Sequence, residues 1–457
     1  MSTTLACRPV PALLPAVGAD TRVPLVTGGT AQYANLDVAA SAPALAAVAA
    51  RVAEALPLYA SVHRGAGHLS QVSTALYESA RDTVAAFVGA RPDDVCVLTR
   101  NTTDGLGLLA GCLPAGGAVL VLDCEHHADL LPWQQRERSG GGACTVLPTR
   151  PTVADTLRAL GEALAARCYA LVAVTGASNV TGESLPLADV VALAHAAGAR
   201  VVVDGAQSVP HRRFSLADSG ADWVAFSGHK AYAPFGVGAL VGRRDWLDTG
   251  RPHLAGGGAV TEVTVESTGW VAAPHRHEGG SPNVLGAVAL AAACDALAAL
   301  APGELEEHER ALREQLVEGL DAVDGVRLLR IWSDSVEPTG VVGFTVAGAD
   351  PGLVAAYLSA EHGIGVRDGR FCAHPLLARL GVPEGALRAS VGVGTTGDDV
   401  ARLVAAVARF VADGPAVDYA VVEGRWQPVS DPRPVAGLAG ADLTAVARGA
   451  GCGGPAA

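Results

Sequence analysis

Aromatic residues are scarce in this chain, only 4% of its 457 residues, so a packed interior has to be filled by Ala, Val and Gly. Positive charge is short as well. Thirty-three Lys and Arg against 46 Asp and Glu leave a net charge of -13, and the basic residues are scattered rather than run together. That balance excludes phosphate-backbone binding, and no nucleic-acid partner is expected. No uncharged run approaches the ~20 residues of a spanning helix, and the apolar "PVPALLPAV" near the start lacks a basic flank and a clean cleavage site. A soluble cytoplasmic protein with no membrane partner is the expectation. The cysteines (7, 96, 112, 124, 144, 168, 294, 372 and 452) are odd in number, widely spaced and mostly set in apolar segments. They read as small buried hydrophobes. With no C-x-x-C pair among them a structural zinc is disfavoured, and no metal is expected.

Half of the chain is hydrophobic. Between residues 80 and 245 short apolar runs ("DVCVLT", "AVLVLD", "YALVAVT", "ARVVVDG", "DWVAFS", "GALVG") alternate with Ala-rich stretches of helical spacing such as "LADVVALAHAAG". This pattern predicts an α/β fold with a mostly parallel central sheet and helices on both faces. Residues 1–32 read as an irregular arm, 33–295 as a large domain, and 296–415 as a smaller C-terminal α+β domain. Residues 416–457 form an extension, Pro/Gly/Ala-rich at its end and expected to be mobile beyond 445, with Trp426 as a candidate anchor.

Ligands of open α/β sheets gather outside the carboxyl ends of strands, so the polar residues that close each apolar run carry the functional reading. Thr102 and Thr103 follow "DDVCVLTR" at a predicted helix N-terminus, whose free N–H groups and positive dipole end suit a phosphate. Glu125, His126 and His127 follow the next run, where a flat ring can be stacked upon. Asn179 follows "LVAVTGAS". Asp204 ends a run of three valines, and a carboxylate there needs a cationic partner or a protonated ring nitrogen to offset its desolvation. Lys230 closes "FSGHK", where a dry surrounding would lower its pKa and free the amine to attack a carbonyl. A phosphorylated pyridine carrying an aldehyde satisfies all of these groups together. Lys230 would form the Schiff base, Asp204 would hold the pyridinium, and Gln207 would reach the ring hydroxyl. Thr102, Thr103, Ser227 and His229 would take the phosphate.

In order and spacing, "NLDVAASAP", "SVHRGAGHLS", "RNTTDG", "EHHADLLPW", "SNVTG", "DGAQSVPH" and "FSGHKAYAPFGVG" resemble the class V aminotransferase family of pyridoxal phosphate enzymes, from about residue 33 to 412. Within it, "SVHRGAGHLS", "VRDGRFCAHPLL" and "RASVGVGTT" are most similar to group II cysteine desulfurases and selenocysteine lyases. The resemblance implies fold type I, pyridoxal 5'-phosphate as cofactor, and L-cysteine or a related sulfur or selenium amino acid as substrate. It implies that His126 stacks on the ring and assists proton transfer, and that Asn179 and Gln207 bind the ring-hydroxyl side. Arg388 would clamp the substrate carboxylate, with Arg367 and His63 also on the substrate side. Cys372 would accept sulfur as a persulfide from a mobile loop, its thiolate favoured by Arg367, Arg370 and His374. The stretch "APHRHEGGSPN" resembles the segment that donates a hydroxyl, here Ser281, to the neighbouring subunit's phosphate. A homodimer is thereby implied, as is a sulfur-acceptor protein.

Two departures lie near the expected substrate mouth. Arg370 and Phe371 stand where the desulfurases tend to carry histidines, and Gly394-Thr395 where "YNT" is common. The alternatives are another class V reaction, such as a C–S lyase on a larger cysteine derivative, an epimerase or a transaminase, with Cys372 a bystander. A non-catalytic scaffold is the third reading.

Overall fold

The computed structural model describes residues 9–63 and 65–434. The six apolar runs and one further strand, β3, which the sequence pattern did not single out, form one sheet: β1 (Asp94–Thr99), β2 (Val119–Leu122), β3 (Cys144–Leu147), β4 (Leu171–Thr175), β5 (Arg200–Asp204), β6 (Trp223–Ser227) and β7 (Gly238–Arg243). Their order across the sheet is β1-β7-β6-β5-β4-β2-β3. Strands β2 to β6 pair in parallel, whereas β7 is antiparallel to both of its neighbours. The reason is chain length. Residues 228–237 are too few for the crossover that a parallel neighbour requires, so the chain turns straight back. Gly238 consequently sits between Thr99 and Ser227, paired with both.

Burial explains why the strands read as continuous apolar runs. In β1, Cys96 and Leu98 face one core while Val95 and Val97 face another. In β5, Val201 and Val203 point to the first and Val202 to the second. Side chains alternate and both faces are covered, so no polar position survives until the strand ends. Helix α1 (His68–Phe87) packs with α4 (Val284–Ala298), apolar except for Asp295, against the first face, while α2 (Thr102–Cys112) and the Trp133 side of α3 (His127–Arg138) cover the second.

A second core lies between α5 (Glu304–Asp321), α6 (Pro351–His362), α8 (Gly397–Asp413) and a four-stranded sheet. Its strands are β8 (Val326–Leu328), β9 (Val341–Val346), β10 (Arg367–Gly369) and β11 (Ala386–Ser390), in the order β8-β9-β11-β10. The short helix α7 (His374–Arg379) follows β10. Two local expectations need correction. Residues 22–24 and 30–32 form a small hairpin rather than an irregular arm, and Ala34 and Leu36, assigned from sequence to the large domain, pack in the second core beside Ile364. Residues 419–428 form a final hairpin whose Trp426 lies over Gly352 of α6, the packing expected for the anchor. The segment beyond 445 lies outside the described residues. Among those residues, no helix is long and apolar enough to cross a membrane.

Candidate active site

A cavity of about 350 Å³ opens at the carboxyl ends of β2, β4, β5 and β6, where the second core meets the sheet. Thr102, Thr103, His126, Asn179, Asp204, Gln207, Ser227, His229, Lys230, Arg367, Cys372 and Arg388 all line it. His63 and Ser281 do not. His63 instead pairs with Glu78 at 2.7 Å. Ser281 is exposed, outside the cavity of its own chain.

The expected phosphate end lies where β1 and β6 terminate on either side of Gly238 of β7. Asn101, not a threonine, caps α2 by accepting from the Asp104 amide, which leaves Thr102 and Thr103 to face the cavity. The Thr102 amide donates to Ser227 Oγ at 2.8 Å, and the two hydroxyls lie 2.7 Å apart. Hydroxyls and amides at the positive end of an eleven-residue helix form a seat for an anion.

Lys230 lies three residues beyond β6, in the turn that follows it, its amide donating to Ser227 O. Burial lowers its ammonium to about 8, against the opposing pull of Asp204. The amine is thus far easier to deprotonate than an ordinary lysine, as nucleophilic attack demands. Asp204 ends β5, its carboxylate accepting from the Ala206 amide; burial raises its carboxyl, so a cation placed against it would be stabilised strongly. Gln207 donates from Nε2 to Ala39 O, while its buried Oε1 has no partner among the described residues, an acceptor available to a ring hydroxyl. His126 caps α3, its Nδ1 accepting from the Ala128 amide, and burial depresses it to about 3, leaving a neutral ring able to stack. These groups fit a phosphorylated pyridine aldehyde at every functional corner.

At the other end, β10 and β11 place Arg367 directly opposite Arg388. Cross-strand like charges are unfavourable unless an anion lies between them, and both line the cavity. Arg388 is buried. It donates to Asn179 O at 2.9 Å and to Asp37 at 2.8 Å, and stacks on Phe371 with 5.3 Å to the ring centroid. Two of its five N–H groups are thereby used. Cys372, expected on a mobile loop, lies in a short hydrogen-bonded turn. Phe371 and Cys372 both adopt left-handed φ, +51° and +52°. Their carbonyls are clamped by Asn179 Nδ2 at 2.7 Å and by the His127 amide at 2.8 Å. Two successive non-glycine residues hold such a conformation only when neighbours enforce it. The reason is brevity, since only residues 370–373 join β10 to α7. Of the expected cations, Arg367 reaches the cavity, Arg370 faces Glu384 at 3.5 Å, and His374 packs edge-on to His127.

Sequence reasoning missed Asp37, which anchors Arg388, although it lies within the motif "NLDVAASAP"; a partner 351 positions away leaves no local trace. It also missed that Glu125 and Asp129 are both fully buried near Asp204 and raised by desolvation, Glu125 further by Asp129 and Asp129 further by Asp204.

The family model for class-V aminotransferases matches residues 34–403. This chain belongs to that family. Its enzymes depend on pyridoxal 5'-phosphate, the cofactor that the donor set above accommodates. A probable cysteine desulfurase 2 of Mycobacterium leprae is 40% identical over 363 residues, covering 76% of this chain and 84% of the relative. A probable cysteine desulfurase of Vibrio cholerae is 36% identical over 357 residues, 77% and 87% of the two chains. Among solved structures, the cysteine desulfurase CsdA of Escherichia coli superposes with a TM-score of 0.75 at 35% identity, over 83% of this chain and 95% of that one.

The depressed Lys230 gives a pH test of the cofactor seat. Cofactor-stripped protein mixed with pyridoxal phosphate is expected to recover visible absorbance faster as pH rises, about tenfold per unit below pH 8 and level above it. Only the neutral amine adds to an aldehyde, and the free fraction grows until the pKa is passed. A rate still climbing steeply at pH 10 would mean an unperturbed lysine.

Proposed function

We propose that this enzyme is a cysteine desulfurase, which converts L-cysteine to L-alanine and takes up the sulfur on Cys372 as a persulfide. The observation that carries the reading is the placement of a thiol, a paired arginine site and a depressed lysine around one cavity. When bound, the cofactor supplies an electron sink that acidifies the substrate Cα–H.

Asp204 would hold that group in its cationic form, and His126 would offer a neutral ring face to it. Lys230 would hold the cofactor aldehyde and is the amine placed to move a proton away from the substrate Cα and return one. Arg388 and Arg367 receive the substrate carboxylate, so the opposite end of the amino acid points toward the cysteine turn. The Cys372 sulfur, as thiolate, attacks the substrate sulfur; the substrate C–S bond breaks and its electrons remain on the carbon that becomes the alanine methyl. Clamping by Asn179 and His127 fixes the direction of that attack. The role of Ser281 as phosphate donor to a second copy makes the working unit a homodimer, and the persulfide is passed to an acceptor protein.

The test is turnover of L-cysteine by the holoenzyme with a thiol reductant present, measuring alanine and sulfide together. Equal amounts support the reading. Absence of both, with turnover of a larger cysteine derivative, would replace it by a C–S lyase.

Replacing Arg388 by Lys is expected to raise KM for L-cysteine about tenfold to a hundredfold, with a smaller loss in kcat. A lysine keeps the charge but not the planar fork, and it forfeits the bond to Asp37 or that to Asn179 O. Unchanged KM in steady-state kinetics would remove Arg388 from carboxylate binding.

A further inference from the structure

Outside the cavity, three side chains from separate parts of the chain converge. His63 lies in the turn before α1, Glu78 lies on α1, and His275 opens the 3-10 turn His275–His277 that leads to Ser281. One nitrogen or carboxylate oxygen from each lies within 4.8 Å of the others. His63 Nε2 is 2.7 Å from Glu78 Oε1, and the His63 and His275 rings meet edge-to-face at 5.2 Å.

Two imidazoles and one carboxylate form a borderline donor set, suited to zinc with water in the fourth position. Bond lengths near 2.1 Å place tetrahedral ligand atoms about 3.4 Å apart, so assembly needs side-chain shifts of about 1 Å. Both histidines are at least partly exposed and able to turn. The surroundings are arranged as supports around metal ligands are. Glu78 Oε2 accepts from Arg81 Nε at 3.0 Å, and Arg81 in turn forms a two-point pair with the buried Glu278 at 2.7 and 2.8 Å. Glu278 also accepts from the Leu98 amide and the Tyr77 hydroxyl. Burial works against ionisation of Glu78, yet Arg81 and His63 outweigh it, and the carboxyl ends below its ordinary value. His63 is held in a left-handed conformation, φ +66°, with its amide donating to Thr74 Oγ1 at 2.9 Å.

We propose that His63, Glu78 and His275 bind one divalent transition cation, zinc by its donor set, tying the turn before α1 to the segment that carries Ser281. The site is independent of the desulfurase reading. It escapes sequence inspection because its ligands are not cysteines and stand 15 and 197 positions apart along the chain.

The experiment is calorimetric titration of untagged, chelator-dialysed holoenzyme with zinc chloride, with the exposed Cys168 replaced by Ser throughout. The expected result is one zinc per chain, with affinity at least tenfold weaker in His63→Ala and in His275→Ala. Each variant should keep the cofactor absorbance and thermal midpoint of its parent, which shows that it is folded. No uptake by the parent, or undiminished affinity in both variants, overturns the proposal. If one histidine variant fails to fold, the other, together with Glu78→Gln, decides between the same two outcomes.

Discussion

Replacing Lys230 by Ala should abolish the visible absorbance that defines bound cofactor and lower L-cysteine turnover by at least about a thousandfold. The size follows from two roles on one atom. The amine anchors the cofactor aldehyde, and after release it transfers the Cα proton, a contribution of about 10² to 10⁴ by itself. No neighbour can substitute. His126 is held near pKa 3 and would be a feeble base, while Arg388 cannot give up a proton. Absorbance of the reconstituted variant and single-turnover alanine release provide the check, and retention of both would remove Lys230 from the chemistry. Cofactor seated without covalent attachment would still report on the Thr102 and Ser227 seat, so losing attachment and losing the seat are separable.

Cys372→Ser should eliminate sulfide and alanine release from L-cysteine together, by about two orders of magnitude or more, while leaving cofactor absorbance intact. A hydroxyl at that position has far too high a pKa to supply the nucleophile that a thiolate supplies. The substitution is nearly isosteric, and the turn is held by the backbone carbonyls of Phe371 and Cys372, which serine retains. Geometry is therefore preserved and chemistry alone is removed. Quantifying alanine against sulfide in one assay decides the matter. Turnover equal to the parent would leave Cys372 a bystander and point to a reaction that needs no sulfur acceptor.

The site was legible wherever function coincides with a strand end, because a polar residue closing a run such as "ARVVVD" contradicts its neighbours. Lys230, Asp204, Asn179 and the two threonines stand out in that way. Asp37 and the facing of Arg367 on Arg388 were not legible, since both are products of register between strands distant in sequence. The cysteine turn misled for a related reason. Nothing in "GRFCAHP" reports that Asn179, nearly two hundred residues earlier, holds it. Likewise "GALVG" reads as one more strand, and only the length of the connection before it shows that it must run backwards.

That backward strand has a consequence for how the enzyme acquires its cofactor. Asn101 and Ser227 belong to segments more than a hundred residues apart, and they adjoin only because Gly238 separates their strands without a side chain. A Cβ at Gly238 would stand 2.5 Å from Phe226 O and 2.8 Å from Asn101 Cα. The last strand of this sheet to be synthesised thus closes a seam beside the first, and the phosphate seat does not exist until that seam is shut. Pyridoxal phosphate can recognise only a finished sheet, so its binding free energy accrues to the folded state as a whole. Cofactor supply in the cell would then govern how much of this chain survives as protein, as well as how fast the protein works.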